Sequence, residues 1–408
     1  MADKIWIFNV DDFIYKSQAL AVLKEHALTY LQILKPNDMC IVSPFTEKDE
    51  YFTAYTAAIK GLKHKKWMFQ PKKHAKDESL IQAIMKDKAL VGKIKNFCKH
   101  GFVLIPLKYT EEFQKLSKMC GNKLLNNSIA IQEANNKLRF KKLCKEFGIR
   151  TMQPVFERKD GKDKSHILAF INANETYLLR RPSSMGGYGN IAGKITDLLP
   201  LMRLFNKDGD FFIEKYKKVE KTLGSLCILK DDGAAFVGID CQFPHREGWE
   251  GRFFPFKKFD KKILERIKEK SMLMAEYFHK KGVRGQVNFN WAITIKDGEY
   301  KLRGLECNSR YNGFGLCLRL AKTVFDIPQE KLHFYLDTNI AIDESYTTKD
   351  IIKIIFKINT GVKFKGGIVL TSAVKNGRMA MCFISTSPKN VQLLRLALKR
   401  AVKNIDLN

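Results

Sequence analysis

Acidic residues are scarce in this 408-residue chain: 43 Asp and Glu stand against 72 Lys and Arg, a formal net charge of +29 at pH 7. A field of that sign attracts polyanions such as nucleotides, nucleic acids, acidic peptides or anionic membranes. The basic residues are spread along the whole chain, so the charge alone does not choose among these. One local run, Lys63, Lys65, Lys66, Lys72, Lys73 and Lys76, encloses Trp67 and contains no acid. No nucleic-acid-binding motif accompanies it, and nucleic acid is not expected as the primary partner.

Other absences narrow the class further. No run of about 18 apolar residues occurs, and even the stretch 351–358 is broken by Lys353 and Lys357, so neither a membrane span nor a membrane partner is expected. The beginning of the chain carries Asp3, Asp11 and Asp12 where a secretory leader would be basic, which points to a cytoplasmic protein. The nine cysteines form no C-x-x-C pair; a metal knuckle or dithiol motif is excluded and reduced thiols are expected. No G-x-G-x-x-G follows the first strand, no G-x-x-x-x-G-K-[ST] occurs, and the kinase signatures are missing. A Rossmann dinucleotide site, a P-loop and a protein kinase are thereby set aside.

What is present reads as α/β and α+β in several domains, since 408 residues exceed one ordinary core. Apolar runs at 4–10, 39–42 and 102–106 predict strands, with a helix over 19–34 between the first two. Strands separated by helices argue for a parallel sheet. A helix is predicted over 136–147, with Gly148 as its stop. From Tyr177 onward the texture changes to strands with glycine-containing turns. Hairpins are expected around Asp231-Asp232-Gly233 and around Asp297-Gly298. Gly366-Gly367 precedes an apolar strand, and an amphipathic helix closes the chain over 390–403.

Four features carry chemistry. Lys137 stands at a helix start, where its ammonium can reach a phosphate. Arg180 ends a strand just before the small, glycine-rich run Ser183–Asn190, which includes Ser184, Gly186, Gly187 and Gly189; glycines let backbone N–H groups approach phosphate oxygens. The strand Phe211-Phe212-Ile213 stops at Glu214, followed by Lys215 and Tyr216, a segment able to line a purine slot. In the last strand of the second hairpin, Glu306, Asn308 and Arg310 share one face by the period of two, opposite Asn288 and Asn290. These oxygen ligands beside a guanidinium suit Mg²⁺ shared with phosphates.

In this order, the four features resemble the ATP-grasp superfamily over about residues 131–320. The resemblance implies an N-terminal α/β pre-ATP-grasp domain over 1–130, a two-lobed ATP-grasp domain over 131–330, and a small C-terminal α+β segment over 331–408. It implies ATP and Mg²⁺ as cofactors. Lys137, Arg180, Ser184, Gly186, Gly187, Gly189, Glu214, Lys215 and Tyr216 would hold the nucleotide; Glu306, Asn308 and Asn288 would hold the metal; Arg310 and Arg180 would act in catalysis. Two positions depart from the family pattern: Arg180 replaces the usual lysine, and Asn288, with Asn290 as the alternative, replaces an acidic metal ligand. The flanking segments look similar to pheganomycin-type peptide ligases. The activity implied is ATP-dependent joining of a carboxylate to an amine through an acyl phosphate, with a small or peptide carboxylate as substrate and an acidic one favoured by the charge. The alternatives are an ATP-grasp small-molecule kinase and a degenerate, basic binding module.

Overall fold

The computed structural model describes residues 2–13, 27–122, 126–152, 154–158, 175–184, 190–194, 196–197, 210–245 and 248–407. Strands β1 (Lys4–Ile7), β2 (Met39–Ile41), β3 (Met68–Phe69) and β4 (Val103–Pro106) form a parallel sheet in the order β3-β2-β1-β4. After Lys4, which opens β1, their residues are apolar in succession because both faces are covered. Ile5, Ile7, Met39 and Ile41 belong to one core cluster, with α2 (Leu80–Lys86), α3 (Lys88–Lys99) and α4 (Glu111–Met119). Trp6, Phe8, Cys40 and Val42 belong to another, which reaches α1 (Glu50–Lys60) and the later part of the chain. Of the helix expected over 19–34, residues 19–26 lie outside the described residues, and Ala27–Ile33 is a 3-10 helix. Trp67, inside the lysine run, packs against the core, while all six lysines are exposed.

Two helices follow, α5 (Ser128–Asn135) and α6 (Lys137–Glu146). Gly148, at φ 65°, ends α6 with Ile149 N donating to Cys144 O at 2.7 Å, the left-handed stop that the sequence predicts. Strands β5 (Pro154–Arg158), β6 (Thr176–Arg180), β7 (Ile191–Lys194) and β8 (Phe211–Lys215) make a small antiparallel sheet in the order β5-β8-β6-β7.

The largest layer is an eight-stranded antiparallel sheet. Its members are β9 (Lys221–Lys230), β10 (Gly233–His245), β11 (Gly248–Phe254), β12 (Gly285–Lys296), β13 (Glu299–Asn308), β14 (His333–Ala341), β15 (Gly366–Leu370) and β16 (Arg378–Ser385), in the order β13-β12-β9-β10-β11-β14-β16-β15. Both expected hairpins are present: β9 and β10 join through the Asp231 turn, and β12 and β13 through Asp297 (φ 54°) and Gly298 (φ 74°). Positive φ at both central residues is what a two-residue hairpin of matching twist demands, and Asp-Gly supplies it at least cost. The β11–β14 pairing carries the sheet past position 330, so the last strands extend the same layer. Helices α7 (Lys261–Lys280), α8 (Gly313–Val324), α9 (Thr348–Gly361) and α10 (Pro388–Ala401) complete the chain.

Among the described residues no helix is long and apolar enough to cross a membrane. All nine cysteines are free thiols, eight of them buried.

Candidate nucleotide and metal site

The site is assembled where α6, the end of β6 and the β12–β13 hairpin meet. Asn136 caps α6, its Oδ1 accepting from Leu138 N at 3.0 Å and Arg139 N at 3.1 Å. Helix α6 can lie against β13 because Gly304 has no side chain: a Cβ there would stand 3.0 Å from Cys144 Sγ and 3.4 Å from Phe140. Gly304 N also donates to Arg150 O at 2.8 Å, fixing the chain just beyond the helix. This close seat suspends Lys137, in the first turn, beside Glu306.

Glu306 is the centre. Register places Asn290 opposite Glu306 and Asn288 opposite Asn308, so the four side chains share one face of the hairpin. Glu306 Oε1 accepts from Asn290 Nδ2 at 2.9 Å and from Asn308 Nδ2 at 3.3 Å. Its Oε2 accepts from Arg180 Nη2 at 3.3 Å and lies 3.4 Å from Lys137 Nζ. Burial alone would raise the Glu306 carboxyl, but Lys137, Arg180 and Arg310 outweigh it and hold it at about 2. The same burial lowers Lys137 to about 8, the pull of Glu306 working against the repulsion of Arg180 and Arg310. Arg310 reaches the site from the end of β13, with Nη1 donating to Asn135 Oδ1 at 2.9 Å.

A second carboxylate lies behind the first. Arg180 and Glu214 lie on one face of the small sheet, with Arg180 opposite Phe212 and Leu178 opposite Glu214. Glu214 is buried: its Oε2 is 3.6 Å from Arg180 Nη1 and its Oε1 is 2.5 Å from Lys141 Nζ. Lys141, one turn after Lys137, also donates to Met152 O at 2.6 Å, and burial lowers its affinity for protons despite Glu214. The result is a buried sequence of alternating charge: Lys141, Glu214, Arg180, Glu306, Lys137.

The site residues named from sequence are distributed as follows. Lys137, Arg180, Glu306, Asn308 and Arg310 come together. Ser184 joins them, with Lys137 Nζ donating to its O at 3.1 Å and its Oγ at 3.0 Å. Glu214 comes close, but its carboxylate is engaged by Lys141 and Arg180 instead of facing outward. Lys215 is exposed and pairs with Glu175, and Tyr216 is 47% exposed. Gly186, Gly187 and Gly189 lie outside the described residues. Of the two asparagines, Asn290 is the one bonded to Glu306. Asn288 is fully buried and donates from Nδ2 to Ser225 O at 3.1 Å.

Three groups were not singled out in sequence. Lys141 could have been found as the residue four after Lys137, on the same helical face. Gln242, whose Nε2 donates to Asn290 Oδ1 at 2.8 Å, and the buried pair of Arg252 Nη1 with Asp240 Oδ2 at 2.6 Å come from β10 and β11. Their approach depends on Gly224 of β9, where a Cβ would fall 2.2 Å from Asp240 Oδ1 and 2.9 Å from Gln242 Nε2. No local pattern in the sequence signals that depression.

The residues present fit a magnesium ion. Asn288 Oδ1 is buried without a hydrogen-bond partner, on the same hairpin face as Glu306 and Asn308, and all three offer hard oxygens. Among the described residues no group of three or more His, Cys, Asp or Glu side chains gathers, so the fit is to a cation that draws further ligands from phosphates.

No protein-family model matches the chain, and no curated protein is similar to it in sequence. Solved structures do match over its whole length. The biotin carboxylase of Campylobacter jejuni, in complex with β,γ-ATP, has a TM-score of 0.60 at 15% identity, covering 100% of this chain and 92% of that one. Carboxyaminoimidazole ribonucleotide synthase from Aspergillus clavatus, complexed with ATP, has 0.59 at 14% identity, covering 98% and 99%. The biotin carboxylase domain of Hydrogenobacter thermophilus 2-oxoglutarate carboxylase, with MgADP, ADP and bicarbonate, has 0.60 at 13% identity, covering 100% and 91%.

Proposed function

We propose that this chain, whose fold is that of full-length ATP-grasp enzymes, is an ADP-forming ligase that joins a carboxylate to an amine. One observation carries the reading: two buried cations from separate elements, Lys137 and Arg180, converge on one oxygen of Glu306 beside Asn308. Two cations, 126 and 169 positions from Glu306 in the chain, are brought to it by packing, and with both desolvated they make a site that favours polyphosphate.

In this reading Lys137, Arg180 and Arg310 hold the transferring phosphoryl group and offset the charge that develops on it. Magnesium, when bound with the nucleotide, neutralises phosphate charge and is held by Glu306, Asn308 and Asn288. Lys215 and Tyr216 contribute backbone groups to the base, and Ser184, bonded to Lys137, stands at the phosphate end. The substrate carboxylate attacks the γ-phosphorus, giving an acyl phosphate and ADP. The amine then attacks the acyl carbon and expels phosphate, leaving an amide. No enzyme nucleophile is needed; positioning and electrostatics carry both steps. The working division is 1–130, 131–330 and 331–408, with the C-terminal segment completing the ligase. The finer part of the proposal is a peptide-type ligase acting on an acidic carboxylate, supported by the net charge of +29.

The test incubates the protein with Mg-ATP, hydroxylamine and pooled carboxylates: amino acids, acidic peptides and, separately, bicarbonate. Hydroxamate formed together with ADP supports the ligase, and resolving the pool names the acid. ADP formed together with a stable phosphorylated acceptor and no hydroxamate overturns ligation in favour of a kinase. The absence of any Mg-ATP binding by calorimetry overturns the nucleotide site itself.

A further inference from the structure

Each oxygen of Glu306 already has two partners. Oε1 accepts from Asn290 at 2.9 Å and Asn308 at 3.3 Å; Oε2 accepts from Arg180 at 3.3 Å and faces Lys137 at 3.4 Å. A divalent cation approaching this carboxylate alone meets two like charges within 3.4 Å of the oxygen it needs. Both cations are buried, Lys137 at 3% and Arg180 at 5% exposure, where neither water nor salt screens them well.

Neither cation depends on Glu306 alone. Lys137 also donates to the backbone and hydroxyl oxygens of Ser184. Arg180 also touches Glu214 at 3.6 Å and Asn190 Oδ1 at 3.3 Å. Glu214 in turn keeps Lys141 at 2.5 Å when Arg180 shifts, so no buried carboxylate is left uncompensated. A polyphosphate carries more negative charge than one carboxylate and draws both cations toward itself, releasing Oε2.

We propose, resting on the ligase reading above, that Lys137 and Arg180 bar Glu306 to a free divalent cation and that nucleotide phosphates lift the bar, so that metal enters only with nucleotide. Lys141 is then a positioning residue: by holding Glu214 it leaves Arg180 free to move between Glu306 and phosphate.

The probe is Mn²⁺, followed by its electron paramagnetic resonance in titrations of the full chain, without nucleotide and with a non-hydrolysable ATP analogue. Binding of the analogue itself is measured by calorimetry in chelator. The expected results are that the wild type takes up Mn²⁺ only with the analogue, and that Lys137→Met and Arg180→Met each tighten nucleotide-free Mn²⁺ binding at least about tenfold, the scale of removing one nearby charge in a partly screened interior. Adding Glu306→Gln to either variant removes the gain. Lys262→Met, which takes away an exposed charge on α7, leaves Mn²⁺ binding at the wild-type level and controls for net charge. The wild-type comparison requires no variant to fold, and Lys137→Gln and Arg180→Gln replace any methionine variant whose circular dichroism shows loss of structure. If the wild type binds Mn²⁺ without nucleotide as tightly as the variants while the analogue binds, the bar is disproved and the ligase reading stands. If the analogue does not bind at all, the ligase reading falls and the inference falls with it, and the calorimetric titration separates that result from the previous one.

Discussion

Glu306 gathers more of the site's charge than any other side chain. Glu306→Gln keeps its shape and removes its charge and, on the proposed function, a transition-state electrostatic contact; turnover with Mg-ATP is expected to fall by about 10²–10³. Lys215→Ala is expected to cost less than that, because its side chain is exposed and paired with Glu175. Steady-state ADP release measured for both variants in parallel checks the contrast. Lys141 lies on the stability side of the same cluster. Removing one partner of a buried pair leaves an uncompensated charge, so Lys141→Met is expected to destabilise the fold by about 3–5 kcal/mol. Arg180, at 3.6 Å, compensates Glu214 only in part. The double variant Lys141→Met/Glu214→Leu removes both charges and is expected to recover part of that loss in urea unfolding; a double variant no more stable than the single one argues against the pairing.

At the scale of elements, what the sequence made legible was local. The β12–β13 turn was readable because Asp297-Gly298 must supply two positive φ values within one dipeptide. The α6 stop was readable because Gly148 supplies another, and the parallel sheet because β2 is apolar at every position and β1 at every position after Lys4. What escaped was non-local: the joining of β14 to β11, the depression over Gly224, and the engagement of Glu214 by Lys141 all depend on elements meeting that no sequence window contains. Within the candidate site, Lys137, Arg180, Glu306 and Asn308, which stand at or near recognisable element ends, lie together as the sequence reading expects, and the neighbours that packing alone brings to them were not legible. The seat of α6 on Gly304 gives a direct test. Gly304→Val drives a branched side chain into Cys144 and Phe140; overpacking of this kind costs about 1–3 kcal/mol and tilts Lys137 away from Glu306, so nucleotide affinity and melting temperature should fall together. Lys60 tests a second junction. It ties α1 to α8, its Nζ donating to Gln32 O at 2.9 Å and Thr323 Oγ1 at 2.6 Å. Burial, helped by Arg319 and opposed by Asp38, lowers it to about 7. Between about 7 and the ordinary lysine range the unfolded chain binds the extra proton, so stability rises with pH across that window, by at most about 1.4 kcal/mol per unit. Urea midpoints from pH 6 to 10 should show this rise in the wild type and a smaller, later one in Lys60→Met, where Lys137, lowered to about 8, and Lys141 still contribute.

For the molecule as a whole, the net charge of +29 is more than the site requires. The cations closest to Glu306, Lys137 and Arg180, are buried, whereas Lys63, Lys65, Lys66, Lys72, Lys73 and Lys76 all lie exposed. Exposed charges of one sign act at a distance, by raising the local concentration of anionic ligands and their rate of encounter. That action is screened: the Debye length shrinks from about 30 Å at 0.01 M salt to about 8 Å at 0.15 M. The buried cations close to Glu306 are screened far less. The two populations therefore separate under salt. If the surface field serves an acidic carboxylate substrate, its KM should rise several-fold over that range, while kcat, which the proposed function assigns to Lys137, Arg180 and Arg310, should change little. A neutral carboxylate turned over by the same protein should show a flatter KM. An acidic substrate whose KM is indifferent to salt would leave the surface charge without a part in substrate capture and would remove the argument for an acidic substrate.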